Sequence, residues 1–364
     1  METYPLKSIT LEEAQRLQFR IVDTVTRHFS GREILGLGDL GVVPGLNKPT
    51  YTLKVEAVLK DLFHAEAAVL LRGAGTGALR EGIQAVLRPG ERLLVHDAPV
   101  YPTTQNTLHQ MGVELVRADF NDPVALRACM KKEKLNAALI QYTRQKPQDK
   151  YSLGEVVQII REEAGDLPIV TDDNYAVFKV AKIGSELGAD LSAFSAFKLL
   201  GPEGIGVLVG KKVYIDEVIR KNYSGGSQVQ GFEAMEVLRG MIYAPVMIAI
   251  QNEVILETKR RLDAGEVPGV KAAVIANAQS KVLLVEFEKN IAADVLKEAE
   301  KRGAAPNPVG AESKYEVVPM FYRLSGTFRA EDPELENRMI RINPMRSGPD
   351  TIIRILKESL ENLK

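Results

Sequence analysis

Six short apolar runs, separated by stretches of helical periodicity, constrain this chain more than any other feature. They are AAVLL at 67 to 71, RLLVHD at 92 to 97, AALIQY at 137 to 142, PIVTDD at 168 to 173, LSAFS at 191 to 195 and GVLVG at 206 to 210. Runs of that length, apolar on both faces, read as strands of a parallel sheet with helices covering both sides. The expected fold class is α/β: a large domain with a mostly parallel, seven-stranded type of sheet between helices, an α/β/α sandwich.

The flanking segments carry helix signals. Thr10 with Glu13 reads as a capping box ahead of an amphipathic stretch to about His28, with Leu17, Ile21 and Val25 on one face. A Gly/Pro-rich junction, Gly36 to Thr50, precedes a second helical pattern carrying Val55, Leu59 and Leu62. Ser152 with Glu155 supplies another capping box, and Asp122 before Pro123 reads as an N-cap with proline at the first helical position. A long helical region from about Ala244 to Leu262 leads out of the sheet. Beyond it, KVLLVEF at 281 to 287, a helix near 291 to 302, YRLSGTF at 322 to 328, IRIN at 340 to 343 and a final helix outline a smaller α+β domain. The expected division is 1–45, an N-terminal segment packing with the small domain; 46–255, the large domain; and 256–364, the small C-terminal domain.

Composition closes off several classes of function. Forty-seven basic residues against forty-eight acidic ones argue against an electrostatic grip on nucleic acid or an anionic membrane. The segment Met1 to Glu13 lacks a signal-peptide pattern, no apolar run reaches the ~20 residues of a membrane span, and Cys129 is the only cysteine; a cytoplasmic location is expected. Four scattered histidines, His28, His64, His96 and His109, offer no zinc-like spacing, so no metal is expected.

The residues that can carry chemistry meet the demands of pyridoxal 5'-phosphate (PLP). That cofactor needs a lysine for a Schiff base, a carboxylate to keep its pyridine nitrogen protonated, donors for its phosphate, an aromatic ring to stack on it and a cation for the substrate carboxylate. Lys198 lies in SAFSAFKLLGPEGIGVLVG, just past an apolar strand, flanked by Phe194 and Phe197 and followed by glycines. Desolvation there favours the neutral amine of imine chemistry. Alone, it would read as a solvated loop lysine. Asp172 ends the strand in TDDNYAVF, where a carboxylate points into the ligand crevice of an open α/β sheet, and Asp173 is its rival. Tyr175 can reach the cofactor's phenolic oxygen; without Lys198 downstream, capping or turn chemistry would explain this segment.

Ala74, Gly75 and Thr76 sit between a strand and a helix, so their backbone amides face an anion at a helix N-terminus. Tyr101, in APVYPTT, is the stacking candidate, with simple loop packing equally able to explain it. YSGGSQVQG, 223 to 231, is a glycine-rich turn in which Gly226, Ser227 and Gln228 can complete a phosphate site, across a dimer interface, or form a plain loop. Arg341, in IRINPMRSG, is chosen for the substrate carboxylate because a guanidinium binds it through two parallel hydrogen bonds, with Arg323 and Arg346 as alternatives. A different reading starts from GAGTGA, which matches part of a dinucleotide fingerprint with Asp97 placed 20 residues after Gly77 as a ribose-binding acid. It leads to a nicotinamide-dependent oxidoreductase but leaves Lys198 and DDNY unexplained.

These residues resemble the fold-type I PLP enzymes, the aspartate aminotransferase superfamily. GTGALR at 75 to 80 is similar to the phosphate loop of aspartate aminotransferases, DDNY at 172 to 175 to their Asp-x-x-Tyr pair, and SAFK at 195 to 198 to their Ser-x-x-Lys. The resemblance implies a phosphate contact for Ser195, an aldimine on Lys198 and a homodimer with active sites near the interface. LNKPTYTLKVEAVLKDLF at 46 to 63 resembles the opening of the cystathionine lyase group, and FKLLGPEGIGVLVG the lysine segment of selenocysteine synthase. Over its whole length the chain is similar to uncharacterised bacterial aminotransferase-like proteins. One departure stands out: aspartate aminotransferases carry a phosphate-binding arginine eight residues after the lysine, where this chain has Gly206. The expected function is amino-acid transformation by an aminotransferase, with a C-S lyase or related β/γ-elimination enzyme as first alternative. The nicotinamide oxidoreductase and a non-catalytic PLP-binding protein are more remote.

Overall fold

The structure, a computed structural model, describes residues 2–144, 146–278, 280–308 and 312–363. The chain divides into two units, one of Glu12–Tyr142 with Tyr151–Pro245, the other of Met1–Leu11 with Thr143–Lys150 and Val246–Lys364.

The larger unit is built on seven strands: β1 (Ala67–Arg72), β2 (Arg92–His96), β3 (Glu114–Ala118), β4 (Ala137–Gln141), β5 (Ile169–Asp172), β6 (Leu191–Ser195) and β7 (Ile205–Gly210). Their order is β1-β7-β6-β5-β4-β2-β3. Strand β7 runs antiparallel to both neighbours, and the pairs β6-β5, β5-β4, β4-β2 and β2-β3 are parallel. Helices α1 (Leu11–His28), α2 (Thr50–Leu62), α3 (Ala74–Val86), α4 (Pro102–Gln110), α5 (Pro123–Lys132), α6 (Leu153–Glu163) and α7 (Lys212–Lys221) accompany the sheet, and α8 (Gly231–Asp263) carries the chain onward.

Alternate strand residues serve opposite layers, which is why the runs are apolar on both faces. Leu93, Val95, Leu139 and Val170 pack with Leu79 and Ile83 of α3, whereas Leu94, Ile140 and Ile169 pack with Val156, Val157 and Ile160 of α6. Each fully buried side chain of this kind contributes about 2 kcal/mol. Strand β3 has no counterpart among the six runs. It is an edge strand whose residues alternate in exposure around the buried Val116 and Ala118, so its sequence, ELVRA, keeps two charged positions.

The smaller unit holds an antiparallel sheet in the order β10-β11-β9-β8, from β8 (Val270–Ala278), β9 (Ser280–Phe287), β10 (Met320–Tyr322) and β11 (Met339–Asn343). Helices α9 (Ala292–Lys301), α10 (Gly326–Glu331), α11 (Leu335–Arg338) and α12 (Pro349–Glu361) complete it. Leu283, Val285, Phe287, Ile340 and Ile342 form its core with Val295 of α9 and Ile352, Ile353 and Leu356 of α12. The YRLSGTF run begins on β10 and passes into α10.

The units depart from the expected boundaries in three places. Only Met1–Leu11 groups with the C-terminal part, where the Thr3 hydroxyl donates to Ile275 O at 2.7 Å. The rest of the first 45 residues belongs to the larger unit: His28 Nε2 meets Asp61 Oδ2 at 2.7 Å, and the Asp39 carboxylate accepts the Thr50 and Tyr51 amides at 2.7 and 3.0 Å. The division falls at Pro245 inside α8, and Thr143–Lys150 leaves the larger unit altogether. Among the expected caps, Asp122 accepts from the Val124 and Ala125 amides with Pro123 at the first helical position, but the Ser152 side chain makes no capping bond. No helix among the described residues is long and apolar enough to cross a membrane.

Candidate active site

The β1, β2, β4, β5 and β6 strands end on one edge of the sheet, and the loops leaving those ends are where ligands bind in open α/β folds. After β1 comes the turn into α3, after β2 the segment with Tyr101, after β5 the DDNY turn and after β6 the segment with Lys198. An aromatic group ties the last two together. Phe63, at the end of α2, stacks on Phe178 at 6.0 Å between centroids and meets Phe194 edge-on at 5.5 Å.

The centre of the arrangement is Asn174, which the sequence reading passed over. Its backbone N–H and its Nδ2 both donate to Asp172 Oδ1, at 3.1 and 2.8 Å. Its Oδ1 accepts from the Ser195 amide at 3.1 Å and from Lys198 Nζ at 3.4 Å. One amide side chain thus joins the carboxylate at the end of β5 to the amine after β6. Asp172 is buried, and burial raises its carboxyl above the usual range, while the Asn174 bonds and the nearby Lys198 charge pull it back. Lys198 Nζ also lies 3.8 Å from the centroid of the Tyr175 ring, within cation-π range. Tyr175 and Phe178 have left-handed backbone, with φ of 64° and 63°, a strained turn of the kind found at functional sites.

Asp173, the rival carboxylate, is directed elsewhere. It is wholly buried and its Oδ2 accepts the Gly184 amide at 2.9 Å. Burial pushes its pKa to about 7, with the Ser192, Gly184 and Thr171 donors acting against that rise.

The phosphate loop needs one correction. The amides of Gly73 and Ala74 are taken by the Gly204 carbonyl at 2.8 and 3.0 Å, so Ala74 does not present its N–H to an anion. Gly75 and Thr76 stand in the first turn of α3, where no preceding helical carbonyl accepts their N–H groups. The loop is drawn in tightly. A Cβ on Gly206 would lie 2.1 Å from Ala74 O, and one on Gly75 would lie 2.5 Å from Asn174 Oδ1. The first contact explains the Gly206 departure: no arginine fits where β7 touches the loop.

Thr76 Oγ1 lies 3.2 Å from Thr103 Oγ1, which brings the segment after β2 against the loop; Tyr101 caps α4 and is about a third exposed. The GGS turn is locally bonded, Ser227 Oγ donating to Ser224 O at 2.7 Å, and Gly226 is exposed. The Gln228 side chain is buried and donates to Asn222 O. Arg341 belongs to the smaller unit. Its guanidinium lies 4.0 Å over the Tyr322 ring and its Nε donates to Arg323 O at 2.6 Å. Arg323 pairs with Glu336 at 3.1 Å, and the largely buried Arg346 donates to Gln251 Oε1 at 3.3 Å.

The dinucleotide reading fails on topology. That fingerprint belongs to a fold whose first two strands are adjacent and parallel, whereas here β1 pairs antiparallel with β7 and β2 lies five positions away in the sheet order. Among the described residues, no group of three or more His, Cys, Asp or Glu could hold a metal ion.

A glycine loop at a helix N-terminus, a buried strand-end carboxylate and a lysine linked to it through Asn174 suit a phosphorylated pyridine aldehyde. The fold and this set of residues define the class of fold-type I PLP-dependent enzymes. Residues 256–356 match the family described as YhfS-like, C-terminal domain, and residues 151–239 match aminotransferase class-V. The YhfS protein of Escherichia coli (strain K12) is 57% identical over 363 residues, covering 100% of each chain. The crystal structure of the E. coli pyridoxal-5'-phosphate dependent protein YhfS superposes with a TM-score of 0.98, at 57% identity and 100% coverage of both chains. Apo CalE6, a methionine gamma lyase from Micromonospora echinospora, shares the fold at 17% identity, a TM-score of 0.71, and coverage of 95% of this chain and 98% of that one. An L-seryl-tRNA(Sec) selenium transferase of Clostridium perfringens is 24% identical over 203 residues, 49% of this chain and 42% of its own. The chain belongs to the YhfS family.

Proposed function

We propose that this PLP-dependent enzyme transforms an amino acid, with Lys198 as the amine that joins the cofactor's aldehyde carbon. The observation that carries the reading is the Asn174 bridge, which puts the Asp172 carboxylate and Lys198 Nζ on one side chain at the strand ends. PLP, when bound, supplies an electron-withdrawing ring that takes up charge from the substrate's α-carbon. Asp172 holds a proton at the pyridine nitrogen, with Asn174 fixing the carboxylate's orientation. With the cofactor bound, Lys198 would hold and move the substrate's α-proton at Nζ. Gly75 and Thr76 amides receive the phosphate, Ser195 adds a contact to it, and Tyr101 stacks on the ring.

Arg341 receives the substrate α-carboxylate. Its Nε donates to Arg323 O at 2.6 Å and its guanidinium lies 4.0 Å over the Tyr322 ring, contacts that fix the plane of a group able to bind a carboxylate through two parallel hydrogen bonds. A homodimer completes the site. Leu35, Leu37, Leu40 and Tyr223 are 82%, 77%, 79% and 72% exposed. Their segments are joined, since Gln230 Oε1 accepts the Gly41 amide at 2.8 Å and a Cβ on Gly225 would touch Val42. Covering this apolar strip with a second copy brings the Gly226 and Ser227 turn to the interface, where it serves the partner's phosphate.

The favoured reaction is transamination, because the aminotransferase class-V match spans both DDNY and SAFK. A second reading, C-S bond elimination, draws on residues 46 to 63, which resemble the opening of cystathionine lyases. A panel of amino acids, followed by visible absorbance and assays for 2-oxo acid, ammonia and sulfide, separates them. Stoichiometric 2-oxo acid without ammonia or sulfide supports transamination, and ammonia or sulfide release replaces it with elimination. Loss of turnover by at least about 10³-fold in Lys198→Ala is expected of either.

A further inference from the structure

Strand β11 places two polar residues on one of its faces. Ile340 and Ile342 enter the core with α9 and α12, so Arg341 and Asn343 lie on the opposite face. Their neighbours across the sheet are largely apolar: Leu284 of β9 and Tyr322 of β10 stand opposite Arg341, and Met320 of β10 stands opposite Asn343. Asn343 is wholly buried, and its Oδ1 accepts the Met345 amide at 3.3 Å. That bond sets the side-chain amide and leaves Nδ2 for another partner. Nδ2 is buried and has no hydrogen-bond partner among the described residues, a condition that costs stability and is uncommon in folded proteins. It faces the Tyr322 phenol. Burial raises the pKa of that phenol, and the Arg341 charge and the Asn343 amide act against the rise.

We propose that Tyr322 and Asn343 complete the carboxylate site of Arg341, the Tyr322 hydroxyl as a direct donor and Asn343 as the positioning residue that turns it into one. The proposal rests on Arg341 being the group that receives the substrate α-carboxylate. An amide N–H facing a phenol oxygen can only donate to it, so the phenol's own proton is turned away from Asn343, toward an acceptor. The same ring carries the Arg341 guanidinium at 4.0 Å. A carboxylate held by the guanidinium fork thus has a second donor on the side chain that supports the arginine. This pairing of one charged and one neutral donor selects substrates with a free, ionised carboxylate. Amines lack the group, and esters lack its charge.

The test compares two probes on PLP-loaded protein, aminooxyacetate and O-methylhydroxylamine. Both displace a lysine amine from the cofactor's aldehyde carbon through the same O–NH2 group, and only the first carries a carboxylate. The ratio of their rates, read from the visible absorbance, isolates carboxylate recognition. Tyr322→Phe keeps the ring under Arg341 and should lower the ratio about tenfold; Asn343→Leu should lower it about fivefold. The unfolding midpoint of PLP-loaded Asn343→Leu should match or exceed that of the parent, because the variant removes an unpartnered buried amide. Asn343→Ala replaces the leucine variant if that one does not fold. An unchanged ratio in Tyr322→Phe or in the Asn343 variant overturns the proposal, and a fall in Arg341→Met beside it shows that the reading of Arg341 still stands. An unchanged ratio in Arg341→Met overturns both.

Discussion

Asp172 and Asp173 are consecutive and both buried, yet they serve opposite faces of the sheet at the end of β5. Asp172 follows the alternation of Val170 toward the α3 layer, where it shares Asn174 with Lys198. Asp173 turns to the other side and holds the Gly184 amide, beside Thr171 and Ser192. On the first face a carboxylate is kept beside an amine on a turn containing left-handed Tyr175 and Phe178. On the second, an equally buried carboxyl secures a loop. Two identical side chains are therefore turned to different partners by the alternation of the strand.

Substituting each in turn breaks that comparison most sharply. Asp172→Asn should lower turnover of a responsive amino acid about 10²–10⁴-fold, with the unfolding midpoint little changed; steady-state kinetics read the effect. If Asp172→Asn retained turnover and Asp173→Asn lost it, the roles would have to be exchanged.

Asp173→Asn should instead alter stability. Its folded pKa of about 7 lies above the ordinary 3.8, so the folded state binds the proton more tightly than the unfolded one. The resulting stability is full below about pH 4 and is lost as pH rises through about 7, at a cost of up to about 4 kcal/mol. Asparagine keeps an acceptor for the Gly184 amide without the charge. Denaturant titrations should therefore show the parent weakening from pH 5 to 8 more than the variant, with turnover of the variant within about fivefold.

Gly206→Ala asks whether the first face depends on backbone contact. The added Cβ would meet Ala74 O at 2.1 Å and displace the loop before α3. A roughly tenfold weaker affinity for PLP is expected, measured by reconstitution of the cofactor-free protein, because displaced amides lose their aim at the phosphate.

The strands that position this site were legible because strands buried on both faces leave unbroken apolar runs, and those of β5 and β6 lead directly into Asp172 and the Lys198 segment. Strand β3 left no such trace, since one edge of it is unpaired and its residues alternate. Ala74 was misjudged for a different reason: its amide is consumed by the Gly204 carbonyl, a partner 130 residues away that no local pattern reveals. Asn174 stood in plain view within DDNY. Its importance comes from joining Asp172 in its own turn to Ser195 and Lys198 in the segment at the end of β6, and only the folded chain brings those within one side chain's span. The grouping of residues from Glu12 onward with the larger unit, where His28 meets Asp61 at 2.7 Å, joins positions 33 residues apart that no local pattern links.

The most direct measurement is borohydride reduction of the PLP-loaded protein followed by peptide mass mapping. Reduced cofactor is expected on Lys198, in the segment SAFK, with no label in Lys198→Ala. Label on another lysine of the parent protein, Lys179 included, or no covalent label at all, would contradict it.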